Sequence, residues 1–255
     1  MPTIGRFNVT PMKGTALHHP ERVELWRGGI PGNRRFFLID QRGRLFSGYD
    51  HGALVRLRAA HENGALSVTF PDGTEAVSET TALGDPVVVD MSGRAVAGRV
   101  MDGTLGRALS DHVGRAVRVV MADRDGDGSD VHHLSVLSEA SVRELASAGG
   151  HPGDLDARRF RMDVELTGCE PFEEDGWDGR IVRIGEALIR LRGQIPRCRV
   201  TNQDPTTGRP DWATLNQIAA QRPRIPGDGG LPFGMYAEVE RPGSVAVGDD
   251  VAPLG

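Results

Sequence analysis

Short apolar runs separated by turn residues recur along most of this chain, and several of them alternate with polar positions. Phe36 to Asp40, Gln41-Arg42-Gly43, and Arg44 to Ser47 predict a β-hairpin. Ala65 to Phe70, running into Pro71-Asp72-Gly73, predicts another. In a third, Ile181 and Arg183 alternate on one side of Gly185-Glu186, and Leu188 and Arg190 on the other. Met235 to Glu240 and Ser244 to Val247, joined by Arg241-Pro242-Gly243, predict a fourth. Helical spacing is rarer. Leu105, Ala108, Leu109 and Val113 share one face of a helix over Thr104 to His112. Ser138 to Ser147 has a Ser cap, an early Glu139 and a Gly149-Gly150 stop. Thr214 to Ala220 predicts a short helix ending before Pro223. Residues 148–156 and 223–230 read as loops. The sum is a strand-dominated α+β protein, barrel-like, with a few short helices.

Composition adds limits. Gly accounts for 34 of 255 residues, mostly in turn contexts, which fits many short strands. No apolar run approaches the ~20 residues that a membrane span needs. The first residues lack the apolar core of a signal peptide, so a cytoplasmic location is expected. A net charge of −5 without a basic block argues against a nucleic-acid partner. Lysine is almost absent: Lys13 stands alone against 29 arginines. A lysine kept under such a bias marks a place where a compact ammonium fits and a planar guanidinium does not, unless its survival is chance.

The candidate chemistry is sparse. Asp123 to Gly128 begins like a calcium loop, but the twelfth position, where a bidentate Glu belongs, is Leu134, so the stretch reads as an acidic surface loop. His132 and His133 are adjacent and point to opposite faces of a strand, which excludes both from one metal. Either ring can line a pocket. Glu170, Glu173, Glu174 and Asp175 read as a solvated turn before Trp177. Two thiols, Cys169 and Cys198, make neither a disulfide framework nor a cysteine-only metal site. Cys198 lies between Arg197 and Arg199 just after Pro196, a strand end or loop where the arginines favour the thiolate. A thiolate is a nucleophile or a soft-metal ligand. A buried inert cysteine is the competing reading.

Cys198 followed by Asp204-Pro205-Thr206-Thr207-Gly208 resembles the signature of the MOSC family, the domain named for the C-terminus of molybdenum cofactor sulfurase. Phe160-Arg161-Met162-Asp163, Gly168 to Phe172 and Glu174 to Trp177 resemble further family segments, as do Phe233 to Tyr236 and Pro242 to Asp249. Pro11-Met12-Lys13-Gly14 and Arg35-Phe36-Phe37 resemble the N-terminal lobe that precedes the domain. The pattern is most similar to the mitochondrial amidoxime-reducing component and its bacterial counterparts. The resemblance implies an N-terminal β-barrel-like lobe over residues 1–95 and a β-barrel MOSC domain over 96–255, with the lobes interleaved. It implies a molybdenum–molybdopterin cofactor with the metal on Cys198. It implies Lys13 and Arg35 on the cofactor's phosphate or pterin, with Arg161, Pro196, Arg197 and Tyr236 around it. Gly14, Asp130, His132 and Asp163 match pocket positions at which this chain departs from the family pattern. Where the family has the Asn of Phe-Arg-Pro-Asn, this chain has a carboxylate, Asp163.

The expected reaction is reduction of N-hydroxylated compounds, small molecules such as hydroxylamines and amidoximes. Electrons would come from a separate protein of the ferredoxin or flavin-reductase type. The alternatives are a sulfur carrier with a persulfide on Cys198, served by a partner desulfurase because no pyridoxal-binding domain fits here, or a biosynthetic enzyme on a repurposed fold. The residues leave the oligomeric state open.

Overall fold

The computed structural model describes residues 1–227 and 229–254. Asp228, in the loop expected at 223–230, lies outside the described residues. In chain order the strands are β1 (Thr3–Phe7), β2 (Arg22–Leu25), β3 (Phe36–Asp40), β4 (Leu45–Phe46), β5 (Arg58–Glu62), β6 (Ala65–Thr69), β7 (Glu75–Glu79), β8 (Leu83–Met91) and β9 (Arg94–Met101). They continue as β10 (Val117–Ala122), β11 (Leu134–Ser138), β12 (Val164–Thr167), β13 (Ile181–Ile184), β14 (Ala187–Pro196), β15 (Pro232–Arg241), β16 (Gly243–Ala246) and β17 (Val251–Pro253). The α-helices are α1 (Leu105–Val113), α2 (Glu139–Ala148) and α3 (Thr214–Gln221). The strand-dominated α+β class read from the sequence is the class observed.

Seven strands make the main sheet, in the order β1-β12-β11-β15-β14-β13-β17. Its two ends meet: Thr3 bridges Asp250, and the Val251 N–H donates to the Pro2 carbonyl at 2.9 Å. Closing the sheet this way leaves few unpaired strand edges. Inside lie Ile4, Phe7, Leu134, Val136, Leu166, Ile189 and Met235, among others. A second sheet has the order β4-β3-β10-β9-β8. Its strand β3, Phe-Phe-Leu-Ile-Asp, is buried along its whole length. Phe36 and Leu38 enter one apolar cluster while Phe37 and Ile39 enter another, as a period of two demands of a strand covered on both faces. A three-stranded meander, β5-β6-β7, packs against the Phe36 side through Ala59, Leu66 and Val68.

Three of the expected hairpins form: β3–β4, β6–β7 and β13–β14. The fourth does not. β15 and β16 are both strands, but β16 pairs with β2, with Val245 opposite Val23. Pro242 has no N–H to continue a ladder, and Gly243 passes so close over Glu186 that a Cβ there would meet its carbonyl carbon at 2.7 Å. The chain therefore crosses the β13–β14 turn instead of folding back. The three expected helices are present. α2 is capped as read: Ser138 Oγ accepts from the Ser141 N–H at 3.1 Å. Gly114 ends α1 in the left-handed region at φ 67°.

The expected solvated turn at 170–175 holds for Glu170, which is exposed, but not for Glu174. Glu174 is 1% exposed and accepts from Ser141 Oγ at 2.8 Å and the Ser138 N–H at 3.1 Å. Burial raises its pKa above the ordinary carboxyl value. Asp175 pairs with Arg222, which stacks on Phe172. Glu174 and Asp175 thus tie α2 and α3 to the barrel. Among the described residues, no helix is long and apolar enough to cross a membrane.

Candidate functional site

A cavity of about 510 Å³ opens between the main sheet and the second sheet. β14 ends at Pro196, and Cys198 caps the 3-10 turn Arg199–Asn202 that follows. The thiol is exposed and lines the cavity, whereas Cys169 is buried and its pKa is pushed up to about 12 by burial. The competing expectation, an inert buried cysteine, describes Cys169 and not Cys198.

The flanking arginines do not both face the sulfur. Arg199 turns outward, stacks over Tyr49 at 3.7 Å and donates to its carbonyl at 2.6 Å. Arg197 turns inward, donates to the Phe160 carbonyl at 2.5 Å and reaches the Met162 sulfur at 3.4 Å. Its Nε is buried and has no partner among the described residues. Burial lowers the pKa of Arg197, while the charge of the Cys198 thiolate works against that shift.

Lys13 enters from the loop after β1. Its ammonium donates to the Gly128 carbonyl at 3.0 Å and to Asp130 Oδ1 at 2.7 Å, using two of three donors. Burial lowers its pKa, partly offset by Asp130. The ammonium in turn holds the Asp130 carboxyl down at about 2. Gly14 follows at φ +94°, a conformation that disfavours any side chain.

Asp163, the carboxylate in place of an amide, is 1% exposed and fully engaged. It accepts from Asn33 Nδ2 at 2.9 Å, Ser135 Oγ at 2.7 Å and Arg34 Nη2 at 3.1 Å. Its negative charge is thus met by Arg34 beneath the cavity. Arg34 also donates to the Arg161 carbonyl at 2.6 Å. Both arginines sit in the left-handed region at φ 54°, a conformation that non-glycine residues adopt only when their surroundings fix it. Arg161 donates to the Thr15 carbonyl at 2.7 Å and has no carboxylate partner among the described residues. Burial, then the neighbouring Arg34, pushes its pKa down to about 9, which leaves it charged at neutral pH.

On the opposite wall, His132 meets Glu238 Oε1 at 2.9 Å and packs on Tyr236 with ring centroids 5.2 Å apart. Burial raises Tyr236 to about 12, so its phenol keeps its proton at neutral pH.

Of the residues singled out in the sequence, Lys13, Gly14, Asp130, His132, Arg161, Asp163, Pro196, Arg197, Cys198 and Tyr236 all line this cavity. Arg35 does not. It immediately precedes β3 and pairs instead with Asp125 at 2.7 Å. The inward residue is its neighbour Arg34, which sequence reading missed. Their partners in the fold, Asp163 for Arg34 and Asp125 for Arg35, distinguish the two, and the order of residues does not show them. Arg159 also lines the cavity, but Asp211 balances its charge at 2.8 Å. That leaves four cations, Lys13, Arg34, Arg161 and Arg197, against two carboxylates, Asp130 and Asp163. A recess with excess cations, an unpartnered buried Nε and an exposed thiol fits an anionic ligand that also carries a soft metal.

The loop at 123–128 carries no free acidic cluster, because Arg35 neutralises Asp125 and Arg94 neutralises Asp127 at 3.1 Å. Its neighbour His133 approaches the Gly126 carbonyl at 3.1 Å, away from the His132 site.

The MOSC domain model matches residues 123–252, a little over half of the chain. Human mitochondrial amidoxime reducing component 2 is 33% identical over 280 aligned residues, covering 98% of this chain and 82% of that one. Mouse mitochondrial amidoxime-reducing component 1 is 35% identical over 133 residues, covering 50% of this chain and only 38% of the mouse protein. A solved structure, the YUAD protein from Bacillus subtilis, aligns over 98% of this chain and 94% of its own at 14% identity and a TM-score of 0.46. This chain belongs to the MOSC-domain family and is similar over nearly its whole length to a mitochondrial amidoxime reducing component.

Proposed function

We propose that this chain binds a molybdenum cofactor and reduces N-hydroxylated compounds, taking electrons from a separate ferredoxin or flavin-reductase type of protein. The observation that carries the reading is the exposed Cys198 thiol above four cations balanced by only two carboxylates. Relatives named amidoxime-reducing components support the reaction class. Cys198 would hold the metal, because a thiolate is a soft ligand. Lys13, Arg34, Arg161 and Arg197 would hold the cofactor's phosphate and pterin through charge-assisted hydrogen bonds. Gly14 would let the backbone approach closely. When bound, the cofactor supplies a two-electron couple that no side chain offers.

The overall change takes R–NHOH, two electrons and two protons to R–NH2 and water. Asp130, with its carboxyl at about 2, is ionised at neutral pH and accepts rather than donates a proton. Tyr236 Oη keeps its proton and can donate a hydrogen bond into the cavity. His132, seated between Glu238 and Tyr236, orients that wall.

Metal and pterin analysis of protein purified gently from a host that makes the cofactor tests the proposal. Stoichiometric molybdenum and pterin are expected, with benzamidoxime reduced once a donor is supplied. Metal-free protein carrying a sulfane sulfur on Cys198 would overturn it in favour of sulfur transfer.

A further inference from the structure

A second cleft, of about 400 Å³, adjoins the cavity, and Val55 and Arg161 line both. Four arginines line it, and none of its lining residues is acidic. Arg158 is balanced by Asp156 at 2.5 Å. Arg56 and Arg58 are exposed, and neither has an ion pair or a side-chain hydrogen bond among the described residues. They flank Leu57, which is fully buried and extended (φ −81°, ψ 135°). An extended residue between them sends both guanidinium groups to the same outward side. Like charges held on one face without counter-charges repel each other, and an incoming anion relieves that repulsion. Thr206, in the turn that follows Cys198, adds a hydroxyl.

We propose that this cleft is a second anion subsite, which takes a phosphate or carboxylate carried by the substrate. The assignment to substrate rests on the proposed reductase reading; the anion subsite itself does not. The volume is at the low end of ligand pockets, which suits a small charged group and not a peptide. With that group on Arg56 and Arg58, the N-hydroxyl end lies in the adjoining cavity on the far side of Val55 and Arg161. Substrates bearing an anionic tail are then favoured over neutral ones.

The test uses the full chain and the double variant Arg56→Gln/Arg58→Gln, which leaves every residue of the cofactor cavity in place. Both positions are exposed, and matched thermal midpoints verify folding. Calorimetric titration with inorganic phosphate is expected to lose one phosphate per chain in the variant. Benzamidoxime and its para-carboxylate are then compared as substrates. The carboxylate should show a KM about tenfold lower in the parent, equivalent to about 1.4 kcal/mol. That advantage should vanish in the variant, with kcat and the neutral substrate unchanged. Equal phosphate binding by the two proteins overturns the subsite. An unchanged KM ratio overturns its assignment to substrate, and so does a nucleotide-extended pterin released on denaturation, which assigns the cleft to the cofactor. If neither amidoxime is reduced, the reductase reading fails while the phosphate titration still decides the cleft.

Discussion

Asp163→Ala probes the carboxylate that replaces the family's amide. The carboxylate is 1% exposed, and its partner Arg34 has a side chain 10% exposed. The truncation leaves the Arg34 guanidinium without its counter-charge and Ser135 Oγ and Asn33 Nδ2 without an acceptor. Removing one partner of a buried ion pair costs about 3–5 kcal/mol. The second bond from Arg34, to the Arg161 carbonyl at 2.6 Å, survives and puts the expectation at the low end, about 3 kcal/mol. At about 2–4 °C per kcal/mol for a chain of this size, the midpoint should fall by roughly 6–12 °C. Asp163→Asn keeps the shape and one acceptor but not the counter-charge, so it should fall between the parent and Ala, at about 2 kcal/mol. Urea denaturation of the three proteins, paired with calorimetric midpoints, measures both steps. The reasoning is refuted if Asp163→Ala lies within about 1 kcal/mol of the parent, or if Asn costs as much as Ala.

Other changes separate folding from chemistry. Cys198→Ser should keep the parent's unfolding curve, because the exposed thiol supports no packing, while molybdenum content and reduction are lost; equal activity would end the proposed function. Lys13→Ala should lower cofactor retention, read as pterin per chain, and Lys13→Arg should not restore it, because a compact ammonium bonds Gly128 and Asp130 and a longer, planar guanidinium presents its donors differently. Asp130 titrates at about 2, below its ordinary 3.8, chiefly through Lys13. Its contribution to stability is therefore present above about pH 4 and lost as pH falls towards 2. Asp130→Asn should flatten that part of an acid-unfolding profile, and an unaltered profile would contradict the pairing.

Much of this arrangement was legible in the residues because local chemistry set it. β3 declares itself by a continuous apolar run, and α2 by its Ser cap and Gly stop. The β13–β14 turn shows in two residues between alternating segments. Cys198 and Lys13 stood out by scarcity, one as a thiol beside arginines and the other as a lone ammonium. What stayed hidden depends on partners far along the chain. The pairing of β16 with β2 joins residues more than two hundred positions apart, and nothing near Pro242 announces it. Glu174 looks solvated until α2 is packed beside it and Ser141 supplies its bond. Arg34 and Arg35 are the same residue type in adjacent places, and only their distant partners, Asp163 and Asp125, tell them apart. Asp163 reads in the sequence as a bare carboxylate in a pocket, and only the fold brings Arg34 to it.

The meeting of Thr3 with Asp250 bears on how the molecule is made. Residues 36–122 supply all five strands of the second sheet and can pair as soon as they leave the ribosome. β1 is synthesised first, yet its partner β12 lies some 160 residues later and its other neighbour almost at the end. The first strand must wait, unpaired, through most of translation. Contacts of such long sequence separation form slowly, and exposed edges aggregate meanwhile. Lys13 lies six residues after β1 and Asp163 immediately before β12, while Cys198 and Tyr236 come later still, so the site is assembled only once β15 has been made. Cofactor loading is then expected only after β15 has been made, with nascent chains that stop short of Tyr236 unable to take it up.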